Sequence, residues 1–218
     1  MNNITIIIPC YNSSKTIVRT LSSLSSQLDK NFKVVIIDDC SQDSNELLEN
    51  INIFKNLLNI TYHRNSENIG CGNSRQVGVE LCDTDYIMFL DSDDVLIPYA
   101  MTLFNNSIIK YPEIDLFVSD FYKEENNSIS IVSQPYTWIH GKLYKRKFLK
   151  DNEIKLNFKG TSEDVYLNVI CCTLGECIKI DTPTMIWCEN KKSVTRDKTR
   201  GYTEFFLSDY IRAFRMAI

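Results

Sequence analysis

Short apolar runs and amphipathic stretches take turns along the first 110 residues, and their order predicts alternating strands and helices. Ile4 to Ile8 reads as a buried strand stopped by Pro9. Ile17, Leu21, Leu24 and Leu28 then fall at i, i+4, i+7 and i+11 on one helix face, with Ser13 or Ser14 able to cap the first turn. Phe32 to Ile37 is a second strand ending in Asp38-Asp39, and Leu47, Leu48, Ile51, Phe54 and Leu57 mark the next helix. Leu58 to Tyr62, Gly72 to Leu81 and Tyr86 to Leu90 continue as strand, helix and strand. A further helix opens near Pro98, a residue suited to a first turn. Strands this uniformly apolar need cover on both faces. The pattern therefore predicts an α/β fold with a Rossmann-like, mostly parallel central sheet and helices on both sides.

Beyond residue 111 the pattern loosens into a smaller β/α portion. Asp115 to Phe121 and Ile129 to Val132 read as strands, with the Asn-rich turn Glu124 to Ser128 between them. Lys142 to Leu149 is a short basic amphipathic piece, Glu163 to Leu174 a helix, and Cys177 to Ile180 and Thr184 to Cys188 strands. A final aromatic helix is expected from Tyr202 to Met216. With no repeat or linker to divide it, residues 1–218 read as one domain: a half at 1–110, a second at 111–200 and a C-terminal helix at 201–218.

In open parallel sheets ligands collect at the carboxyl ends of the strands, and the polar residues fall there. Tyr11-Asn12 follow the first strand, Asp38-Asp39 the second, and Asp91, Asp93 and Asp94 of FLDSDD the fourth. On an extended chain Asp91 and Asp93 share a face, where their carboxylates repel. A hard cation such as Mg2+ or Mn2+ relieves that repulsion and brings substrate phosphates with it. The plainer alternative is a solvated acidic turn that caps the next helix.

Composition narrows the classes. A chain with 44% hydrophobic and 24% charged residues can bury a core. A net charge of −4 leaves only a weak electrostatic footprint for nucleic acid. The eight cysteines include no CxxC pair and there are two histidines, so zinc-ligand spacing is not met. The N-terminus lacks a basic n-region and no window holds 18 apolar residues, so neither a signal peptide nor a membrane span is expected. The expected setting is cytoplasmic with reduced thiols, and the aromatic C-terminal helix is a face for core packing, a homodimer or peripheral membrane contact. The seven glycines form neither GxGxxG nor a P-loop, which excludes a dinucleotide dehydrogenase and a P-loop kinase.

Six stretches then stand in a familiar order: TIIIPCYNSSKTI (5–17), VVIIDDCSQD (34–43), NIGCGNSRQVGVE (68–80), DYIMFLDSDD (85–94), WIHGKLYKRKFL (138–149) and TSEDVYL (161–167). With the looser KSVTR (192–196), they resemble the family 2 glycosyltransferases of the GT-A fold over almost the whole chain. The resemblance implies inverting transfer of a sugar from a nucleotide-sugar, usually a UDP-sugar, with Mn2+ or Mg2+.

It also implies roles by position. Tyr11 stacks on the nucleobase, with Pro9 and Asn12 shaping the turn beneath it, and Asp39 accepts from the base. Arg75 stands near the diphosphate. Asp91 and Ser92 face the sugar or ribose, and Asp93, with Asp91, holds the metal. Asp164, beside Glu163, is the catalytic base. Trp138 and His140 line the acceptor side, and Arg196 lies in a loop over the diphosphate. The acceptor is left open among a glycan, a lipid-linked sugar, a protein and a modified base. The rivals are a nucleotide-sugar-binding protein without catalysis, which has no use for Asp164, and a nucleotidyltransferase of related architecture.

Overall fold

Strand β1 (Ile4–Cys10) is buried at every residue, a condition met only by an interior strand with both faces covered. A computed structural model of the chain, which describes residues 3–133, 138–156 and 163–190, places β1 at the centre of the main sheet. From it the chain runs through α1 (Ser14–Ser25), β2 (Phe32–Asp38), α2 (Ser44–Phe54), β3 (Ile60–Arg64), α3 (Cys71–Leu81) and β4 (Tyr86–Phe89). These four strands pair in parallel in the order β3-β2-β1-β4, each joined to the next through a helix.

The rest is β5 (Val95–Leu96), α4 (Ala100–Lys110), β6 (Leu116–Ser119), β7 (Phe121–Glu125), β8 (Ser128–Val132), β9 (Lys142–Lys145), α5 (Arg146–Asp151), α6 (Glu163–Leu174), β10 (Cys177–Ile180) and β11 (Met185–Trp187). β9 inserts antiparallel between β4 and β6, and β10 closes that edge, giving the seven-stranded order β10-β6-β9-β4-β1-β2-β3. A second sheet runs β5-β11-β7-β8.

Successive strand residues point to opposite faces, so each strand feeds two cores. Ile6, Ile8, Val34 and Ile36 pack with Leu21 of α1 and Leu47 of α2. Ile7, Val35 and Ile37 pack on the other face with Leu167 and Cys171 of α6.

Several boundaries differ from the periodicity. β1 runs past Pro9 to Cys10: its pairing with β4 ends at Ile7–Phe89, so the missing N–H interrupts only a one-sided ladder. Leu28 and Leu57, in phase with their helices, lie beyond the helix ends and are exposed. The segment expected from Asp115 to Phe121 splits at Asp120, which carries the chain from one sheet to the other. Lys142 to Leu149 is not a solvated amphipathic piece but β9 followed by α5, with Lys142 wholly buried in the sheet. The Asn126-Asn127 turn is confirmed, both residues adopting positive φ (50° and 59°), as a two-residue hairpin requires. The C-terminal helix expected at 201–218, with its proposed homodimer face, lies outside the described residues. Among the described helices none is long and apolar enough to cross a membrane.

Gly141 turns the chain from His140 into β9 at φ +65°, and a Cβ there would stand 2.7 Å from Ser119 O. Gly141→Ala is expected to lose about 1–3 kcal/mol in urea unfolding, from backbone strain and the clash together. Gly70→Ala, at φ +88° but with nothing within 4 Å of a Cβ, carries only the backbone part and is expected to lose less.

Candidate active site

The loops after β1, β2 and β4 meet at the carboxyl edge of the sheet. Tyr11, half-exposed, leads into Asn12 at φ 52°, a left-handed conformation that asparagine tolerates. Asn12 bridges the two neighbouring loops: its N–H donates to Ser41 Oγ (3.0 Å) and its Oδ1 accepts from Gln42 N (2.8 Å). Ser13 does not cap α1 with its side chain. Its hydroxyl instead accepts from Tyr11 N (3.0 Å) and from Ser92 Oγ (2.9 Å), tying the first loop to the acidic turn.

Asp38 and Asp39 divide the work of the second loop. Asp38 is buried and accepts from Ser41 N (2.8 Å), Tyr62 OH (2.7 Å) and Arg64. Burial alone would raise its carboxyl, but those hydrogen bonds outweigh it and hold the group below the usual carboxylate range. Asp39 accepts from Asn65 Nδ2 (2.9 Å), Ile69 N (2.9 Å) and Gly70 N (2.8 Å), which fastens the loop that opens α3. A carboxylate has about four lone-pair positions, so one acceptor position remains on Asp39.

The acidic segment after β4 is a turn rather than an extended strand end, closed by Asp94 N donating to Asp91 O (3.1 Å). The alternation expected for Asp91 and Asp93 therefore does not hold, and the side chains diverge. Asp91 meets Arg75 Nη2 at 2.6 Å, and Asp93 accepts from Asn190 Nδ2 at 2.7 Å. Asp94 is buried, with Oδ1 accepting from Cys188 N (2.8 Å). His140, expected on the acceptor side, instead turns to the acids, with Nε2 3.4 Å from Asp94 Oδ2 and 4.0 Å from Asp91 Oδ2.

At 3.4 Å the His140–Asp94 approach is a contact without hydrogen-bond alignment. Asp94 Oδ2 and both His140 ring nitrogens are buried with no hydrogen-bond partner among the described residues. Burial drives the Asp94 carboxyl up to about 6, with Asp91 and Asp93 adding to the rise and His140 opposing it. Ligand atoms of Asp91, Asp94 and His140 lie within 4.8 Å of one another. Two carboxylates and an imidazole with unpaired atoms facing one point fit a divalent cation.

Arg75, expected near the diphosphate, is a buried strut, pairing with Asp91 on one side and Glu163 on the other. Gly72, one turn earlier on α3, makes room for it: a Cβ there would stand 3.0 Å from Glu163 Cγ and 2.9 Å from Leu156 O. Asp164 follows Glu163 in the first turn of α6, where its carbonyl accepts from Asn168 Nδ2 (2.7 Å), itself held by Tyr144 OH (2.8 Å). Burial and then the Glu163 charge push its carboxyl up to about 7, against the pull of Arg75, Val165 N–H and His140. That places it in the range a general base uses.

The structure thus gathers Tyr11, Asn12, Asp39, Ser92, Asp91, Asp93, Arg75, Glu163, Asp164 and His140 around the strand ends. Trp138 stands beside them, 5.1 Å between ring centroids from Trp187 and 6.0 Å from His140. Arg196 lies outside the described residues. Trp187, Cys188 and Asn190 went unnoticed in the sequence; their only signal was the short strand ending at Cys188.

Residues 5–162 match the family described as Glycosyl transferase family 2. The chain belongs to glycosyl transferase family 2. Among curated relatives it is 36% identical over 111 residues to the teichoic acid poly(glycerol phosphate) polymerase of Staphylococcus epidermidis, covering 49% of this chain and 15% of that one. To the poly(ribitol-phosphate) beta-N-acetylglucosaminyltransferase TarS of Staphylococcus aureus it is 28% identical over 170 residues, covering 71% of this chain and 29% of the relative. This chain thus spans less than a third of either relative. The fold superimposes on S. aureus TarS 1-349 in complex with UDP-GlcNAc at a TM-score of 0.81 and 21% identity, over 99% of this chain and 65% of that one. It superimposes on the mannosyltransferase of Pyrobaculum calidifontis in complex with GDP-Man and Mn2+ at 0.71 and 14%, over 98% and 64%. This glycosyl transferase family 2 chain therefore has the GT-A fold.

Removing Arg75 leaves two carboxylates facing each other without a cation. Arg75→Leu is expected to lose about 3–5 kcal/mol in urea unfolding, and the double change with Glu163→Leu to recover part of it.

Proposed function

We propose that the protein transfers a sugar from a nucleoside diphosphate sugar, read as a UDP-sugar, to an acceptor hydroxyl with inversion at the anomeric carbon. The observation that carries this reading is the continuous chain of charged side chains from the cation cluster (Asp91, Asp94, His140) through Arg75 to Glu163 and the neighbouring Asp164. It supports a leaving-group site at the cation cluster and a base at Asp164, linked through Arg75 and Glu163. Tyr11 offers its exposed ring to the base, and the free acceptor position of Asp39 takes the base N–H, with Pro9 and Asn12 holding the turn. Ser92 and Asp91 face the ribose and sugar, and Arg196, outside the described residues, is assigned to the phosphates by the family resemblance alone. Trp138 and Trp187 wall the acceptor side. The UDP-GlcNAc complex of TarS and the Mn2+ complex of the mannosyltransferase support the donor class and the metal.

Asp91, Asp94 and His140 would hold the cation, with Asp93, expected as a ligand, turned instead to Asn190, and the imidazole would favour Mn2+ over the oxygen-seeking Mg2+. When bound, the ion acts as a Lewis acid that neutralises charge on the departing diphosphate. Asp164 takes the acceptor proton as that oxygen bonds to the anomeric carbon and the bond to the diphosphate oxygen breaks. Arg75 keeps Asp91 ionised and fixes the start of α6.

Release of nucleoside diphosphate from a panel of nucleotide-sugars, with Mn2+, Mg2+ or EDTA, tests the reading. Metal-dependent release from a UDP-sugar is expected, and no release from any donor overturns it. Asp164→Asn should bind donor yet transfer nothing; transfer at the wild-type rate rejects the assignment of the base.

Because the base works only when ionised, turnover is expected to rise with pH through about 7 and to fall below it as Asp164 takes up a proton. His140→Ala should weaken Mn2+ binding, followed by the electron paramagnetic resonance of the free ion, by at least about tenfold. Unchanged affinity removes His140 from the site.

A further inference from the structure

The two sheets end in four edge strands, and three of these carry a device that discourages pairing with another chain. β3 finishes on His63 and Arg64, β10 carries Lys179, and β5 is two residues long. β8 has none of these. Its five residues, Ser128 to Val132, are uncharged and free of proline, and Ile129 and Ile131 are 62% and 60% exposed. Among the described residues only β7 pairs with it.

The hairpin decides which backbone groups of β8 stay free. Asn126 and Asn127 form its two-residue loop, so Glu125 and Ser128 close it as a hydrogen-bonded pair. Such pairs alternate along an antiparallel ladder. Lys123–Ser130 and Phe121–Val132 therefore bond inward, while Ile129 and Ile131 aim their N–H and C=O away from β7. On β7 the same alternation turns Tyr122 outward, and Tyr122 is the residue that pairs with Ile186 of β11. The free backbone groups and the exposed apolar side chains of β8 thus belong to the same two residues.

A second copy of the same strand answers both. With a two-fold axis at Ser130, Ile129 of each copy falls opposite Ile131 of the other, and each such pair exchanges two N–H···O=C bonds. The isoleucines of both copies lie on one face and cover one another. Because the strand is neutral, it meets its own copy with no like charges opposed. We infer that two copies of this chain associate through β8, antiparallel about Ser130, continuing the β5-β11-β7-β8 sheet from one copy into the next. Five residues bury little area, so the dimer is a weak one that forms as concentration rises.

Sedimentation velocity of the full chain over a range of concentrations tests the association, and cysteine crosslinking tests the register. Ser130 stands about 4.5 Å from its own copy between Cα atoms, within disulfide reach. Ser128 lies opposite Val132 instead, about 14 Å from Ser128 of the other copy. Under mild oxidation Ser130→Cys should give a reducible covalent dimer, well above the background of Ser128→Cys and of the unchanged chain. Ile131→Lys, at an exposed position, should keep the urea midpoint and weaken association at least about tenfold through the lost apolar contacts. A chain that stays monomeric at every concentration overturns the inference. So does a dimer that Ile131→Lys leaves intact, or a Ser130→Cys chain that crosslinks no more than Ser128→Cys.

Discussion

The guanidinium of Arg75, buried between Asp91 and Glu163, is the interaction on which the cleft depends. A charge taken out of water is tolerated only when its partners are close and well placed. Here the partners come from two distant segments, the turn after β4 and the first turn of α6. Each of the three elements is therefore held where the other two need it. Neutralising Arg75 against a single carboxylate would leave the second one uncompensated, so the triad specifies one arrangement more than it adds stability. Gly72 is part of the same constraint, since a side chain there would push Glu163 away.

Around this strut the polar groups fall into two kinds. Asp38, Asp39, Asn12, Ser13 and Ser41 spend their hydrogen bonds on the protein itself and make the loop ends rigid. Asp94 and His140 do the opposite, with buried atoms that no group among the described residues satisfies. Leaving such atoms unpaired is costly, and a charged ligand placed among them would offset that cost. The aromatic rings of Phe121, Trp138 and Trp187 pack about His140 and fix its orientation.

The same logic of paired and unpaired charge sets Asp164 apart from Glu163. The two carboxylates are neighbours in sequence, yet one is neutralised by Arg75 and the other is not. Burial and the adjacent charge act on Asp164 without a matching cation, so it holds its proton more tightly than an ordinary aspartate. A strut and a carboxyl of raised pKa thus come from two residues of similar chemistry.

The strand–helix alternation, the parallel order of the first half and the location of Tyr11, Asp39 and Asp91 were all legible in the sequence, because burial on both faces leaves uniform apolar runs and polar residues collect where those runs stop; Asp164, in the first turn of α6, came from the family resemblance alone. The i, i+2 relation of Asp91 and Asp93 was misread, since a local rule assumes an extended chain and the backbone turns there. Lys142 reads from the sequence as part of a short basic amphipathic piece, whereas insertion of β9 between β4 and β6 buries it. Arg75 was expected near the diphosphate and His140 on the acceptor side, and neither expectation included their acidic partners. Their partners are 88 and 46 residues away in sequence, and no periodicity reports on such distances. Local pattern determines which segments become strands and where polar residues gather. Only tertiary packing decides which of those charges face one another, because electrostatic pairing depends on separation in space and on exclusion of water.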